Sequence, residues 1–180
     1  MSRLARFEKS VLPHIDAAYN LARWLTRNDH DAEDVVQEAF MRAFRYFDSL
    51  TDADGRAWLL AIVRNTGYTW LEKNRPAEIV ALEDSGVVSS ETETAGHAAP
   101  AESNPEVIVL QTAQRKLVNQ ALEELPVGYR EVLVMRELEE LTYKEIAQVA
   151  GIPIGTVMSR LARGRDLLRR AIERRERRAS

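Results

Sequence analysis

"LTYKEIAQVAGIPIGTVMSRLARGRDLLR", from Leu141 to Arg169, reads as two short helices joined by a tight turn. Thr142 and Glu145 have the spacing of a capping box: the hydroxyl serves the first turn and the carboxylate reaches back. Gly151 stands where the first helix needs a left-handed stop. Pro153 and Gly155 shape the turn, and Thr156 is placed to cap the second helix. Ile146, Ala147, Val149, Ile152, Val157 and Leu161 supply the small apolar core that a helix-turn-helix requires. In such a unit the start of the second helix meets base edges in the major groove. Those positions hold Thr156, Met158, Ser159, Ala162 and Arg163, flanked by Arg160 and Arg165. Arginine suits both tasks there, because its planar fork is bidentate to phosphate or to guanine.

The charge pattern outward from this motif is uneven. The chain of 180 residues carries a net charge of −3. Residues 151–180 hold nine arginines against three acids, and residues 78–125 hold two basic groups against nine acidic ones. Residues 1–77 balance at eleven of each. Blocks of opposite sign suit different partners, the basic one being fitted to phosphate. The last arginines, in "RRAIERRERRAS", read more simply as a solvated helix end.

Upstream, periodicity is helical throughout, and no run alternates as a half-buried strand would. Val11, Ile15, Ala18, Leu21, Ala22 and Leu25 recur at threes and fours between Phe7 and Leu25. Asn28 and Asp29 break that pattern, and Asp31 is placed to cap a second helix. The second helix lays Val35, Val36, Ala39, Phe40, Ala43, Phe44 and Phe47 along one stripe. Opposite lie Asp34, Gln37, Glu38, Met41, Arg42 and Arg45, which spacing alone makes an ordinary polar face. A third helix is expected over about residues 56–74, apolar nearly all round at its start. It interleaves Trp58, Tyr68 and Trp70 with Arg56, Arg64, Lys73 and Arg75, and places Trp58, Ile62, Asn65 and Thr69 on one face. Aromatics among basic residues suit stacked single-stranded bases. A core helix with structural tryptophans fits the pattern equally.

Residues 76–104, rich in Ala, Ser, Thr and Glu, read as a flexible acidic linker. Asn104, Pro105 and Glu106 then suit a helix start that runs to about Leu125. After Pro126 another helix reaches Glu137. The expected fold is therefore all-α: two small helical domains, residues 1–75 and 105–180, joined by the linker 76–104, the second a helix-turn-helix.

Several classes of chemistry are not expected. There is no cysteine, and His14, His30 and His97 lack ligand spacing, so no metal site is expected. No nucleophile–base pair or phosphate loop appears, which argues against catalysis, a cofactor or a small-molecule substrate. The N-terminus lacks an apolar leader core and no apolar run reaches ~18 residues, so a cytoplasmic protein is expected.

Taken together, "DAEDVVQEAFMRAFR", "WLLAIVRNT" and "LEELPVGYREVLVMRELEELTYKEIAQVAGIPIGTVMSRLARGR" resemble the bacterial sigma factors of the extracytoplasmic-function (ECF) group. The resemblance covers about residues 7–75 and 105–172. It implies a transcription initiation factor that binds core RNA polymerase through the β′ clamp helices and the β flap, recognises −10 and −35 promoter elements and aids melting. Asp34, Gln37, Glu38 and Arg42 become clamp contacts. Arg56, Trp58, Arg64, Asn65 and Thr69 become −10 contacts, and Thr156, Met158, Ser159, Arg160, Arg163 and Arg165 become −35 contacts. An anti-sigma factor is an implied further partner. The linker, carrying Glu83, Asp84, Glu91, Glu93 and Glu102, is implied to enter a positively charged polymerase channel. Promoter elements about 17 base pairs apart lie ~58 Å apart, within the ~95 Å that 29 extended residues can span.

The chain departs from the family pattern in places. Met158 stands where Lys or Arg is common and Gly164 where alanine is usual. Thr69 and Glu72 replace Asp and Arg, and "DGRAW" replaces a more aromatic loop. A stand-alone helix-turn-helix regulator, dimeric and binding duplex DNA without polymerase, is the alternative reading. An enzyme or pure interaction module would leave both nucleic-acid motifs idle.

Overall fold

A backbone that begins at a serine cap and is broken by one proline sets the first layer of the molecule. Ser2 Oγ accepts from the Ala5 N–H and starts α1, Arg3–Val11. Pro13 then interrupts the apolar run expected to be helical from Phe7 to Leu25: residues Leu12–His14 form a 3-10 turn before α2, Ile15–Thr26. Arg27 ends α2 in the left-handed conformation, φ 58°. α3, Asp29–Arg45, is capped by Asn28, whose side chain accepts from the Asp31 N–H at 3.0 Å. Asp31, expected to be the cap, instead lies in the first turn and faces Arg75 at 3.6 Å. The helix starts three residues earlier because asparagine caps as well as aspartate.

The computed structural model describes residues 1–51, 55–80 and 105–180. The acidic stretch 81–104 and the Asn104 cap expected there lie outside the described residues, as do residues 52–54 of the loop before the third helix. α4 spans Gly55–Asn74 and α5 spans Pro76–Val80, inside the stretch assigned to the linker. α6, Pro105–Glu123, opens on proline as expected. α7, Val127–Leu133, continues into a π-helical turn, Val134–Leu138. α8, Tyr143–Ala150, carries the complete capping box between Thr142 and Glu145 and ends at Gly151, φ 65°. α9, Ile154–Ala179, starts at Pro153 with extended backbone, so Thr156 lies inside its first turn and is not the cap. Among the described residues there is no strand.

α1 to α5 form one helical unit and α6 to α9 a second. α2, α3 and α4 pack on one another around Leu21, Leu25, Val35, Leu59, Leu60 and Val63. In the second unit α9 packs on α6, α7 and α8 around Leu133, Ile146, Val157 and Leu161. The units meet along two seams, α4 on α8 and α2 on α7. This explains the third helix. α4 buries Ala57, Leu59, Leu60, Val63, Thr66, Gly67 and Leu71, residues on more than one side, because one side faces its own bundle and another faces the second unit.

Two glycines permit close helix approach. A Cβ on Gly67 would lie 2.7 Å from Leu25 Cδ1, and one on Gly164 would lie 3.2 Å from Leu133 Cδ1. The unusual Gly164 therefore seats α9 against α7, in addition to its helix-propensity cost of ~1 kcal/mol.

Candidate nucleic-acid interface

The recognition helix comes first because its placement follows from local sequence. Val157 and Leu161 are fully buried and fix the inward side of α9. Outside that side stand Met158, 54% exposed, and the exposed Arg163 and Arg165. Thr156, Ser159 and Arg160 are half-buried along the same turns. Ser159 Oγ donates to Thr156 O at 3.1 Å, a local tether within the first turns. The arginines are held by acids on nearby surface: Arg163 faces Asp166 at 3.4 Å and Arg165 faces Glu137 at 3.1 Å. Asp166 also meets Arg169 and Arg170, and hydrogen bonding from Arg169 holds its carboxyl below the usual carboxylate range. The structure thus brings all six expected residues to one end of one helix.

α3 presents the second candidate surface. Asp34, Gln37 and Glu38 are exposed, while Ala32, Val35, Ala39 and Ala43 are buried on the opposite side. Glu38 accepts from Arg42 Nε at 2.9 Å, one helical turn away. Next to this polar strip lies an open apolar groove lined by Arg3, Phe40, Met41, Phe44 and Arg45. Met41 is 64% exposed, and Phe44, expected within the buried stripe, is exposed beneath the Arg3 guanidinium, 4.7 Å from its ring. An exposed apolar patch beside fixed charges is the usual make-up of a docking surface.

The third set is divided. Asn65 and Thr69 are exposed on α4, with Thr69 Oγ1 bonded to Asn65 O. Trp58 is half-buried and packs edge-to-face on Phe47, centroids 6.4 Å apart. Trp70 lies under Arg75 at 5.1 Å. Both tryptophans therefore have packing duties. Arg56 and Arg64 turn toward the second unit. Arg56 Nη2 donates to Glu145 and Nη1 to Glu139 O, at 3.2 and 3.3 Å. Arg64 gives Glu131 two parallel bonds of 3.1 Å, and Tyr68 Oη adds a third at 2.7 Å. Burial raises the Tyr68 hydroxyl pKa, and the Glu131 charge raises it further. For Arg64 burial works against the charge, but Glu131 more than offsets it and the pKa is raised.

Sequence reasoning missed Arg130 and Glu131. Arg130 is 2% exposed and donates to Trp24 O and Leu125 O, both at 2.7 Å. Glu78 of α5 lies 3.7 Å away and is shared with Arg27 and Arg75. Burial, aided by the charge of Arg27, pushes the Arg130 pKa down to about 10. A signal was present: two adjacent charges inside "VGYREVLVM", where every residue from Val127 to Met135 is buried. Among the described residues no group of three His, Asp or Glu could hold a metal ion.

A helix-turn-helix with an open arginine face, joined to a second bundle with its own exposed charged and apolar strip, is the layout of a sigma factor. The family model for sigma-70 region 2 matches residues 11–76, and that for sigma-70 region 4 matches residues 115–168. The chain is 37% identical over 141 residues to the ECF RNA polymerase sigma-E factor of Escherichia coli, covering 77% of this chain and 72% of that one. It is 34% identical over 164 residues to the ECF RNA polymerase sigma factor SigE of Mycolicibacterium smegmatis, covering 91% of this chain and 60% of that relative. Similar solved structures include two sigma-type chains bound to partners. The sigma factor RpoE in complex with the anti-sigma factor NepR from Bartonella quintana has a TM-score of 0.67 at 27% identity, with 93% and 97% of the two chains covered. CnrH in complex with the cytosolic domain of CnrY has a TM-score of 0.62 at 25% identity, covering 93% and 87%. The chain belongs to the ECF sigma factors, a family of transcription initiation factors.

Proposed function

We propose that this chain directs core RNA polymerase to a set of promoters, using separate surfaces for polymerase, −10 DNA and −35 DNA. The observation that supports this best is the open face of α9, where Met158, Arg163 and Arg165 stand clear of the core that fixes the helix. On this reading residues 1–75 hold the polymerase and −10 surfaces, residues 105–180 hold the −35 surface, and 76–104 connect them. Asp34, Gln37, Glu38 and Arg42 grip the clamp helices, with the Met41–Phe44 groove beside them burying apolar surface in the complex. Asn65 and Thr69 read the melted −10 strand, Trp58 closes the wall behind them, and Arg56 and Arg64 hold its phosphates. Thr156, Met158, Ser159, Arg160, Arg163 and Arg165 meet the −35 duplex. The chain acts without catalysis of its own, in the cytoplasm. No helix among the described residues is long and apolar enough to cross a membrane. Because the similar sigma factor RpoE of Bartonella quintana is held in complex with the anti-sigma factor NepR, an anti-sigma factor is proposed as a further partner.

Two variants separate the surfaces. Gln37→Ala with Glu38→Ala weakens co-elution with core polymerase and leaves duplex −35 binding intact. Arg163→Ala weakens −35 binding by roughly 1–3 kcal/mol and leaves core binding intact. Equal loss of core binding in both would refute the assignment.

A further inference from the structure

Met158 leaves an apolar side chain in a place that an arginine face does not explain. It is 54% exposed, and Ile154, one turn earlier, extends the apolar strip at 46% exposed. Val157 and Leu161, both fully buried, already supply the inward side of these turns. The outer neighbours of Met158 are small: Gly155 three residues before it, Ser159 next to it and Ala162 four after. A Cβ built on Gly155 would meet nothing within 4 Å. The Ser159 hydroxyl turns back to Thr156 O at 3.1 Å. Arg163 and Arg165 lean toward Asp166 and Glu137. Met158 is therefore a long, unbranched side chain rising from a floor of short ones. It does so at the start of a helix whose first turns are the ones that meet base edges.

The chemistry of the side chain limits what it can read. A thioether donates no hydrogen bond and accepts only weakly. In the major groove guanine offers acceptors, cytosine a donor and adenine one of each. Methionine laid over any of these removes water and replaces none of its hydrogen bonds. Thymine alone presents an apolar group there, its C5-methyl, and that group gains from the contact. The surrounding charge fixes the kind of partner. Residues 154–165 hold three arginines and no acid, which suits a polyanion and not an apolar protein groove.

Resting on the −35 assignment above, we propose that Met158 is a thymine reader, whose side chain covers the C5-methyl of one thymine in the −35 duplex. The preferred −35 sequence of this chain then carries a thymine set by Met158, beside whatever base Arg163 reads.

The test uses core polymerase loaded with the full chain, and a promoter recovered by run-off transcription with its −35 element randomised. Sequencing the bound DNA is expected to show thymine enriched at one position for the parent. Met158→Ala enriches nothing at that position, and Met158→Arg enriches guanine there. A second arm needs no variant: replacing that thymine by deoxyuridine removes the methyl group alone. Parent affinity is expected to fall about four-fold, the worth of one buried methyl group, while Met158→Ala is indifferent to the change. A deoxyuridine penalty absent from the parent, or equal in Met158→Ala, would overturn the proposal. Loss of core co-elution in Met158→Ala would also overturn it and make this face a protein surface. If the parent enriched no −35 sequence at all, the −35 assignment would fall and the proposal with it. Enrichment that Arg163→Ala erases but Met158→Ala leaves unchanged would sink the thymine reading alone.

Discussion

Replacing Arg130 by methionine keeps the apolar stem and removes the guanidinium that ties α7 to the end of α2. Four carbonyls lose a partner: Trp24 and Leu125 at 2.7 Å, Glu123 at 3.3 Å and Leu25 at 3.4 Å. The first two are short bonds from a charged donor, and each buried acceptor left unpaired costs about 1–3 kcal/mol. Methionine escapes the burial cost that lowers the Arg130 pKa, which returns part of this. A net loss of about 3 kcal/mol is expected, the low end for breaking a buried ionic network. With a urea slope of about 2 kcal/mol per molar, the midpoint falls by roughly 1.5 M. All three tryptophans, Trp24, Trp58 and Trp70, lie in the first unit, whereas Arg130 lies in the second. Tryptophan fluorescence and helical circular dichroism should therefore shift together. R130K, keeping the charge but losing the fork, should fall between. A fluorescence midpoint unmoved by R130M would show that the two units do not stabilise each other, and the seam would lose its energetic meaning.

Other expectations follow from single contacts. Gly67→Ala gains helix propensity of up to ~1 kcal/mol, but its Cβ would sit 2.7 Å from Leu25 Cδ1. A net destabilisation of about 1–2 kcal/mol is expected by thermal melting, and a stabilised variant would contradict the packing described. Asp166→Asn frees Arg163, Arg169 and Arg170 from their shared carboxylate. Duplex affinity should rise and its dependence on log salt should steepen by about one counterion, and identical slopes would show those arginines to be off the DNA path. Because the folded Asp166 pKa is depressed, its contribution to stability is present above the ordinary aspartate range and disappears as pH falls through the lower folded value. The D166N variant should therefore lose stability at neutral pH and converge with the parent in acid. Asn65→Ala should impair transcription at every promoter without altering core binding, as read by run-off yield against co-elution.

The helix-turn-helix was legible because its determinants are local. Thr142, Glu145 and Gly151 act on backbone within four residues, so their roles survive any tertiary arrangement. Boundaries failed where two residues compete for one task. Asn28 caps α3 ahead of Asp31, and extended Pro153 starts α9 ahead of Thr156. The clamp strip on α3 was visible as a polar face, but spacing alone could not separate docking from solvation. The exposed Met41 and Phe44 distinguish it in the structure. Least legible was the seam. An all-round apolar α4 and an Arg130–Glu131 pair within an apolar run make sense only once a second unit covers the first, and helical periodicity carries no information about that partner. The same holds for Gly67 and Gly164, whose reasons are the neighbouring side chains Leu25 and Leu133.

The most direct test is run-off transcription on fragmented genomic DNA of the source organism, with purified core polymerase, with and without this chain. New transcripts are expected only when the chain is present, starting downstream of shared −35 and −10 sequences, and lost with Asn65→Ala or Arg163→Ala. An active core polymerase that gives no new transcript, beside tight duplex binding by the chain alone, would contradict it and identify a regulator that works without polymerase.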